Sequence, residues 1–255
     1  YAVLTTDQHP KTVCVQCELS GQLVTLTGFA KGSGMIHPKM ATMLGFVTTD
    51  AQIDGPVLQD MLSTNVDQTF NQITVDGDTS TNDMVVTLAN GLADNPSLQA
   101  GTTDYDIFNQ ALHYVLGQLA KQIAADGEGA TKLVECNVVH AATTFDGQQI
   151  AKAIVGSNLV KAAVFGEDPN WGRIISTIGA TDADIDVATV DIEMNGVLLV
   201  QQSLAVDFDM AAVQATLRDN QIMIDVDLHH GTASGQAWGC DLTYNYVKIN
   251  ASYHT

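Results

Sequence analysis

The sequence predicts an α/β protein. Three observations carry that prediction. Residues 13–29 alternate apolar and polar side chains around a Ser-Gly pair, as a β-hairpin does. Residues 104–125 place Phe108, Leu112, Val115, Leu116, Leu119 and Ile123 on one stripe with helical spacing. From residue 131 onward, strand-like and helix-like segments follow one another with no long repeat.

In chain order, the hairpin is followed by the Gly-rich KGSGMIHPKM and then by TMLGFVTTDA, which reads as a buried strand ending at Asp50. Residues 56–71 predict a helix: Pro56 suits a first turn, and Leu58, Met61, Leu62, Val66 and Phe70 recur at helical spacing. ITVDGDTSTND is a polar loop, and MVVTLANG a short apolar element. The stripe over 104–125 stops at ADGEGA, whose glycines end a helix. The remainder reads as strand (TKLVECNVVHAA), helix (145–156), strand (LVKAAVFG), helix from Asn170, strand (TVDIEMNGVLLVQQS), helix (208–218), then strands to the end. A domain boundary is expected near residue 131.

The 255 residues are 45% hydrophobic and 15% charged, a profile that buries a sizeable core in one large domain or two ordinary ones. Twenty-nine acidic residues against 10 basic leave a net charge of −19. Nucleic acid and anionic membranes, which require basic patches, are therefore not expected partners. The 4 cysteines are too few for a disulfide scaffold. Cys14 and Cys17 form a C-x-x-C, but inside a strand (VCVQCEL) and without a second ligand pair, so no metal is expected there. No apolar run approaches the roughly 20 residues of a membrane span, and no basic-then-apolar leader is seen. The expected location is cytoplasmic. The opening at Tyr1, directly in strand-like YAVLTTD, leads us to expect a segment upstream.

The chemistry concentrates in Lys31 to Thr42. Glycine, lysine and hydroxyls first suggest a phosphate loop, but the order is wrong: that loop places its lysine after its glycines and precedes a helix, whereas here the lysine comes first and a strand follows. Thr42 opens a strand just after the small Ala41. A threonine hydroxyl needs a base beside it to act as a nucleophile. Cleavage of the Ala41–Thr42 bond would supply one, since a freed α-amine has a pKa of about 7.7–8.0. Taken alone, position 42 reads better as an ordinary β-branched strand residue.

KGSGMIHPKMATMLGFVTTDA closely resembles the self-processing junction of the bifunctional glutamate N-acetyltransferases, or ornithine acetyltransferases, of arginine biosynthesis. NQITVDGDTSTND, ADGEGATK, GEDPNWGRI and YVKINASYHT resemble further blocks of that family in the same order, so the resemblance spans essentially the whole chain. It implies a layered α-β-β-α core like that of N-terminal-nucleophile aminopeptidases, with a smaller α/β C-terminal domain. Residues 1–131 would form the catalytic core with the cleavage junction. Residues 132–255 would form the second domain, whose tail returns to the active site.

The implied activity is acetyl transfer from N-acetylornithine to glutamate through an acyl-enzyme on Thr42, formed by ping-pong kinetics after self-cleavage between Ala41 and Thr42. Some members also take acetyl-CoA, which makes it a candidate co-substrate; no other cofactor and no metal are implied. The two pieces would stay together as α and β chains, two of each in the assembly. By position, Thr5, Lys31, Thr42, Glu128, Asn250 and Thr255 correspond to substrate-binding residues. An ammonium such as that of Lys31 suits the α-carboxylate of both substrates, and Glu128 would meet an amine end. Family members extend upstream of Tyr1, and that part is implied to carry a Thr-Gly pair forming the oxyanion hole.

Other features read more plainly. Asp78, Thr79, Ser80 and Asn82 suit a turn network better than a catalytic wall. Arg173, at a helix start with Asp168, Asn170 and Trp171 before it, should pair with an acid or line a pocket. His229 and His230 look like part of a turn, and the histidines form no catalytic or metal pattern. Lys39 stands three residues before Thr42, where the family leads us to expect Asn or a similar polar residue. Two other readings stay open at this point. One is a hydrolase of the N-terminal-nucleophile aminopeptidase type, which would release acyl groups to water. The other is a metabolite-binding domain that never cleaves.

Overall fold

A computed structural model describes residues 1–37 and 43–252. The first sheet has the order β1-β2-β3-β4, formed by Lys11–Leu19, Gln22–Lys31, Leu44–Thr49 and Met84–Ala89. β1 and β2 form the expected hairpin. Its turn residues, Ser20 and Gly21, both have positive φ (49° and 81°), which matches the right-handed twist of a two-residue hairpin. β3 joins β2 antiparallel and β4 parallel. A parallel neighbour requires a crossover, and α1 (Gly55–Gln68) provides it.

Helix α2 (Thr103–Ala125) lies across β1 and β2. Its predicted stripe is wholly buried against Val24, Leu26 and Val47. Contact is closest at Gly28, where a Cβ would fall 2.7 Å from Val115 and 2.8 Å from Leu119. Helices thus cover one face of the sheet. The other face, bearing Phe29, Met84 and Leu88, is left open by the described residues. Cys14 and Cys17 do not pair: they stand three apart on β1, Cys14 exposed and Cys17 half-buried, and both are free thiols.

The second sheet has the order β10-β5-β9-β6-β7-β8. Its strands are β5 (Leu133–Ala141), β6 (Asp191–Met194), β7 (Val197–Gln201), β8 (Leu204–Ala205), β9 (Gln221–Asp227) and β10 (Ala233–Cys240). α3 (Thr144–Gly156) packs on β5 and β10 and is flanked by α4 (Asn158–Phe165) and α5 (Trp171–Gly179). α6 (Met210–Thr216) precedes β9, and α7 (Tyr244–Ser252) follows β10. The chain is therefore α/β, as its pattern predicts.

Two segments differ from expectation. LVKAAVFG is a helix, not a strand. Ser157 caps it by accepting from the Val160 N–H, and Val160, Lys161, Ala163 and Val164 are buried on one face. The chain's later part is not strand throughout either, because residues 244–252 form α7. Thr243 starts that helix by accepting from the N–H groups of Asn245 (3.1 Å) and Tyr246 (3.4 Å).

The two sheets are stitched together. Ile73 and Trp238 form an isolated parallel bridge, with Thr74 N–H donating to the Trp238 carbonyl at 3.0 Å. Lys121 of α2 pairs with Glu135 of β5 at 3.0 Å and stands 5.3 Å above the Trp238 ring. Lys161, almost wholly buried, sends its ammonium to the Val75 carbonyl and to Cys240 Sγ.

Candidate active site

The segment after β2 organises the site. Gly32, Ser33 and Gly34 bring backbone close to two other parts of the chain. On one side, Gly32 N–H donates to Asp7 Oδ1 at 2.7 Å. On the other, Ser33 Oγ donates to the Asp126 carbonyl at 2.7 Å, and Glu128 N–H donates to the Ser33 carbonyl at 3.0 Å. Gly34 lies so close beneath Glu128 that a Cβ there would fall 2.3 Å from its carboxyl carbon. Only glycine leaves Glu128 its place.

The residues singled out from sequence fall into two pairs flanking this segment. Lys31, at the end of β2, donates to Thr5 Oγ1 at 3.1 Å and stands 3.9 Å from Asp7 Oδ2. Asn250, on α7, donates to Glu128 Oε2 at 2.7 Å. α7 is seated by close backbone approach: Gly129 has positive φ, and a Cβ there would strike the Tyr246 nitrogen at 2.6 Å. Ala41, Thr42 and Thr255, together with Lys39, lie outside the described residues.

A buried ion cluster underlies the Lys31 pair, and the sequence reading missed it. Lys11, 2% exposed, reaches Asp7 at 2.8 Å and also Asp126. Asp126 additionally accepts from the N–H groups of Gln8 (3.0 Å) and His9 (3.2 Å). Burial alone would raise the Asp7 pKa. Hydrogen bonds from Lys11 and from the Gly32 and Thr5 N–H groups outweigh it and hold the carboxyl below its ordinary range. Asp7 stands two residues past Thr5, and Asp126 two before Glu128, so both lay inside motifs already noted.

The polar loop 74–83 is the turn network expected of it, and it also clamps the Gly-rich segment. Asp76 accepts from the N–H groups of Met35 (2.7 Å), Ile36 (3.0 Å) and Asp78 (3.2 Å). Burial still pushes its pKa upward. Thr79 Oγ1 donates to the His37 carbonyl at 3.0 Å, and His37 Nδ1 meets Thr74 Oγ1 at 3.0 Å. Tyr246 OH, from α7, reaches Asp76 at 3.4 Å. Burial, followed by the charges of Asp76, Asp78 and Glu128, pushes the phenol up to about 12. Asp83, the last residue of the loop, takes the N–H of Met43, and burial pushes its carboxyl up to about 6.

A cavity of 860 Å³ opens beside this region, lined by His37, Gly77, Phe145, Lys152 and Arg173 among others. Lys31, Glu128 and Asn250 do not line it. Arg173 fulfils the expectation of a pocket residue and donates to the Leu159 carbonyl at 2.6 Å. Asn170 caps α5 by accepting from Arg173 N–H at 3.2 Å.

The histidines are less scattered than their sequence positions suggest. His140, Asp227 and His229 bring ligand atoms within 4.8 Å of one another. His229 Nε2 lies 2.9 Å from Asp191 Oδ2.

A model of the ArgJ family matches residues 1–255. The chain belongs to that family. It is 52% identical over 254 residues to the arginine biosynthesis bifunctional protein ArgJ of Streptococcus thermophilus (strain CNRZ 1066), covering 100% of this chain and 64% of that protein. With the protein of the same name from Listeria monocytogenes serotype 4b (strain F2365), identity is 55% over the same span and coverage. The chain thus spans 64% of the length of these curated relatives. The crystal structure of arginine biosynthesis bifunctional protein ArgJ from Bacillus halodurans superimposes with a TM-score of 0.80 at 50% identity, covering 82% of this chain and 98% of that one.

Proposed function

We propose that this chain is the larger part of an enzyme that moves acetyl from N-acetylornithine to glutamate through an acyl-enzyme on Thr42. The observation that carries this reading is the convergence of two pairs, Lys31 with Thr5 and Glu128 with Asn250, on the Gly-rich segment that runs into the Ala41–Thr42 junction. The names of the relatives, which place them in arginine biosynthesis, support it.

The chemistry runs in two stages. In the precursor, Thr42 Oγ attacks the Ala41 carbonyl, the peptide C–N bond breaks to give an ester, and water releases Ala41. The freed α-amine then serves as base. It takes the Thr42 hydroxyl proton as Oγ attacks the acetyl carbon, and ornithine leaves with that proton on its amine. Glutamate's amine attacks the resulting ester, and Thr42 Oγ recovers its proton. Lys31 holds the substrate α-carboxylate, an attraction strengthened where water is excluded. Glu128, oriented by Asn250, holds the amine end, and Thr255 is a further substrate-binding residue in this reading. Acetyl-CoA is proposed as a second donor to the same acyl-enzyme.

The Thr-Gly oxyanion hole belongs to the upstream part of the full-length protein in this reading. Such donors are worth about 10²–10³ in rate each. The reading further assigns residues 1–131 to the catalytic core and 132–255 to a second domain. It assigns the mature protein to two α and two β chains in the cytoplasm. No described helix is long and apolar enough to cross a membrane.

The test is intact mass and N-terminal sequencing of the full-length protein, followed by a transfer assay. A new N-terminus at Thr42, absent in Thr42→Ala, and acetyl appearing on glutamate are the expected results. An uncut chain removes the mechanism. Acetate released to water with none on glutamate makes the protein a hydrolase instead.

A further inference from the structure

Three strands of the second sheet meet at one end. β5 and β9 run parallel, with Val139 opposite Asp227, and β6 lies antiparallel on the other side of β9, with Asp191 opposite Asp227. The ends of β5 and β9 and the start of β6 therefore lie side by side. His140 stands near the end of β5, Asp227 ends β9, Asp191 opens β6, and His229 follows β9 by two residues. The backbone fastens them. Leu228 N–H donates to the Val139 carbonyl at 3.1 Å, and the N–H groups of His230 and Gly231 donate to the His140 carbonyl at 2.9 and 2.8 Å. The turn after β9 is thus folded back onto β5. His229 N–H also donates to Asp227 Oδ1 at 2.9 Å.

Both imidazoles turn Nδ1 toward the same carboxylate. His140 Nδ1 lies 2.8 Å from Asp227 Oδ1, and His229 Nδ1 lies 3.5 Å from it. The rings are nearly parallel, 17° apart with centroids separated by 6.2 Å. A tetrahedral zinc ion with bonds of about 2.0–2.1 Å to nitrogen and oxygen sets its ligand atoms about 3.3–3.4 Å apart. The two measured approaches bracket that spacing. His229 carries a further mark. Its far nitrogen, Nε2, meets Asp191 Oδ2 at 2.9 Å. Metal-bound histidines almost always donate their second N–H to a carboxylate, carbonyl or water in this way. A neutral ring donating from Nε2 presents its Nδ1 lone pair to the Asp227 carboxylate, and two acceptors so placed need a cation between them. With the His140 side chain 54% exposed, water has access to complete a coordination shell. His230 turns away and meets Asp184 at 3.2 Å.

The geometry points to a site for a divalent transition ion of the zinc class, held by His140 Nδ1, His229 Nδ1 and Asp227, with Asp191 orienting His229 and water completing the shell. Two imidazoles and a carboxylate suit zinc, nickel or copper, whereas magnesium and calcium prefer oxygen throughout. The ion takes the place of a proton between His229 and Asp227, and it ties the ends of β5 and β9 together. The competing arrangement is a His229 imidazolium held between the two carboxylates, with no affinity for metal.

The experiment uses untagged full-length protein, stripped with a chelator, returned to metal-free buffer and titrated with zinc chloride in a calorimeter. One zinc ion per chain should bind through this site, and magnesium chloride should not replace it. Asp191→Asn should weaken zinc binding about 10–100-fold, and His140→Asn and His229→Asn at least as much. Asparagine tolerates the left-handed backbone that both histidines occupy (φ 52° and 49°), and circular dichroism checks that each variant keeps its fold. In histidine NMR, zinc should move the Nδ1 resonances of His140 and His229 and leave His113 in place. No zinc binding, binding unchanged in His140→Asn, or magnesium binding as tightly overturns the inference. Zinc bound without any change at these two Nδ1 atoms overturns it equally. Should His229→Asn not fold, the more exposed His140→Asn and the wild-type resonances still decide.

Discussion

Asn250 Nδ2 donates to Glu128 Oε2 at 2.7 Å across a separation of 122 residues. A helix near one end of the chain thereby orients a carboxylate beside the Gly-rich segment near the other. The Asn250 amide also reaches the Tyr246 carbonyl at 3.1 Å, so it is braced from its own helix.

Asn250→Ala in the full-length enzyme should raise KM for acetylornithine about tenfold, with a smaller change in kcat. A hydrogen bond to a charged group is worth about 1.5–3 kcal/mol, and this one sits toward the lower end because Asn250 is exposed. Steady-state kinetics decide it. An unchanged KM would show that Asn250 only seats α7.

Gly34→Ala should be more damaging. Its Cβ would fall 2.5 Å from both oxygens of Glu128, and the carboxylate must move. A displacement of about 1 Å in a positioned group can cost about 10² in rate, so kcat/KM should drop by that order. Circular dichroism and thermal melting separate this local effect from unfolding.

Lys11→Met should destabilise the fold by about 3–5 kcal/mol, because it leaves Asp7 and Asp126 without their buried cation. Urea unfolding measures it. The pH dependence has a definite sign: Asp7 titrates lower in the fold than outside it. Its contribution is present above the ordinary aspartate pKa and is lost as pH falls through the folded value. Asp7→Asn should therefore flatten the acid limb of a stability–pH curve.

His229 behaves oppositely. Its hydrogen bond to Asp191 raises its pKa, assisted by the charges of Asp227 and Asp191. The stabilisation is complete below the ordinary histidine pKa and is lost as pH rises through the folded value. Histidine NMR titration should find His229 above the free value in wild type and shifted back toward it in Asp191→Asn.

The fold was legible where local signals agreed. Ser20-Gly21 marked the first hairpin, and the six-residue stripe marked α2. α4 was read as a strand because Leu159, Val160 and Val164 are strand-like residues, while the cap at Ser157 carries less weight in the sequence than it does in space. α7 was missed for a related reason. YNYVKINAS is rich in aromatic and branched residues and leaves no residue buried. Its helix is held instead by Thr243 and by contact with residues 128 and 129.

The site residues divide the same way. The Gly-rich run was visible as a place of close backbone approach. Thr5, Lys31, Glu128 and Asn250 stood out through family resemblance alone, since no spacing links positions so far apart. Asp7 and Asp126 lie inside motifs the sequence displays, but their joining through Lys11 was invisible, because 115 residues separate Lys11 from Asp126.

Lys161, tied to the Val75 carbonyl and to Cys240, has a consequence for the life of the chain on the ribosome. The loop 74–83 can meet Met35 and Ile36 early, but its tie at Val75 waits until residue 161 has been made. The Glu128 contact waits longer still, for residue 250. Long-range contacts of this kind form late and slowly. A nascent chain would therefore carry Val75 and Glu128 without these partners through most of its synthesis.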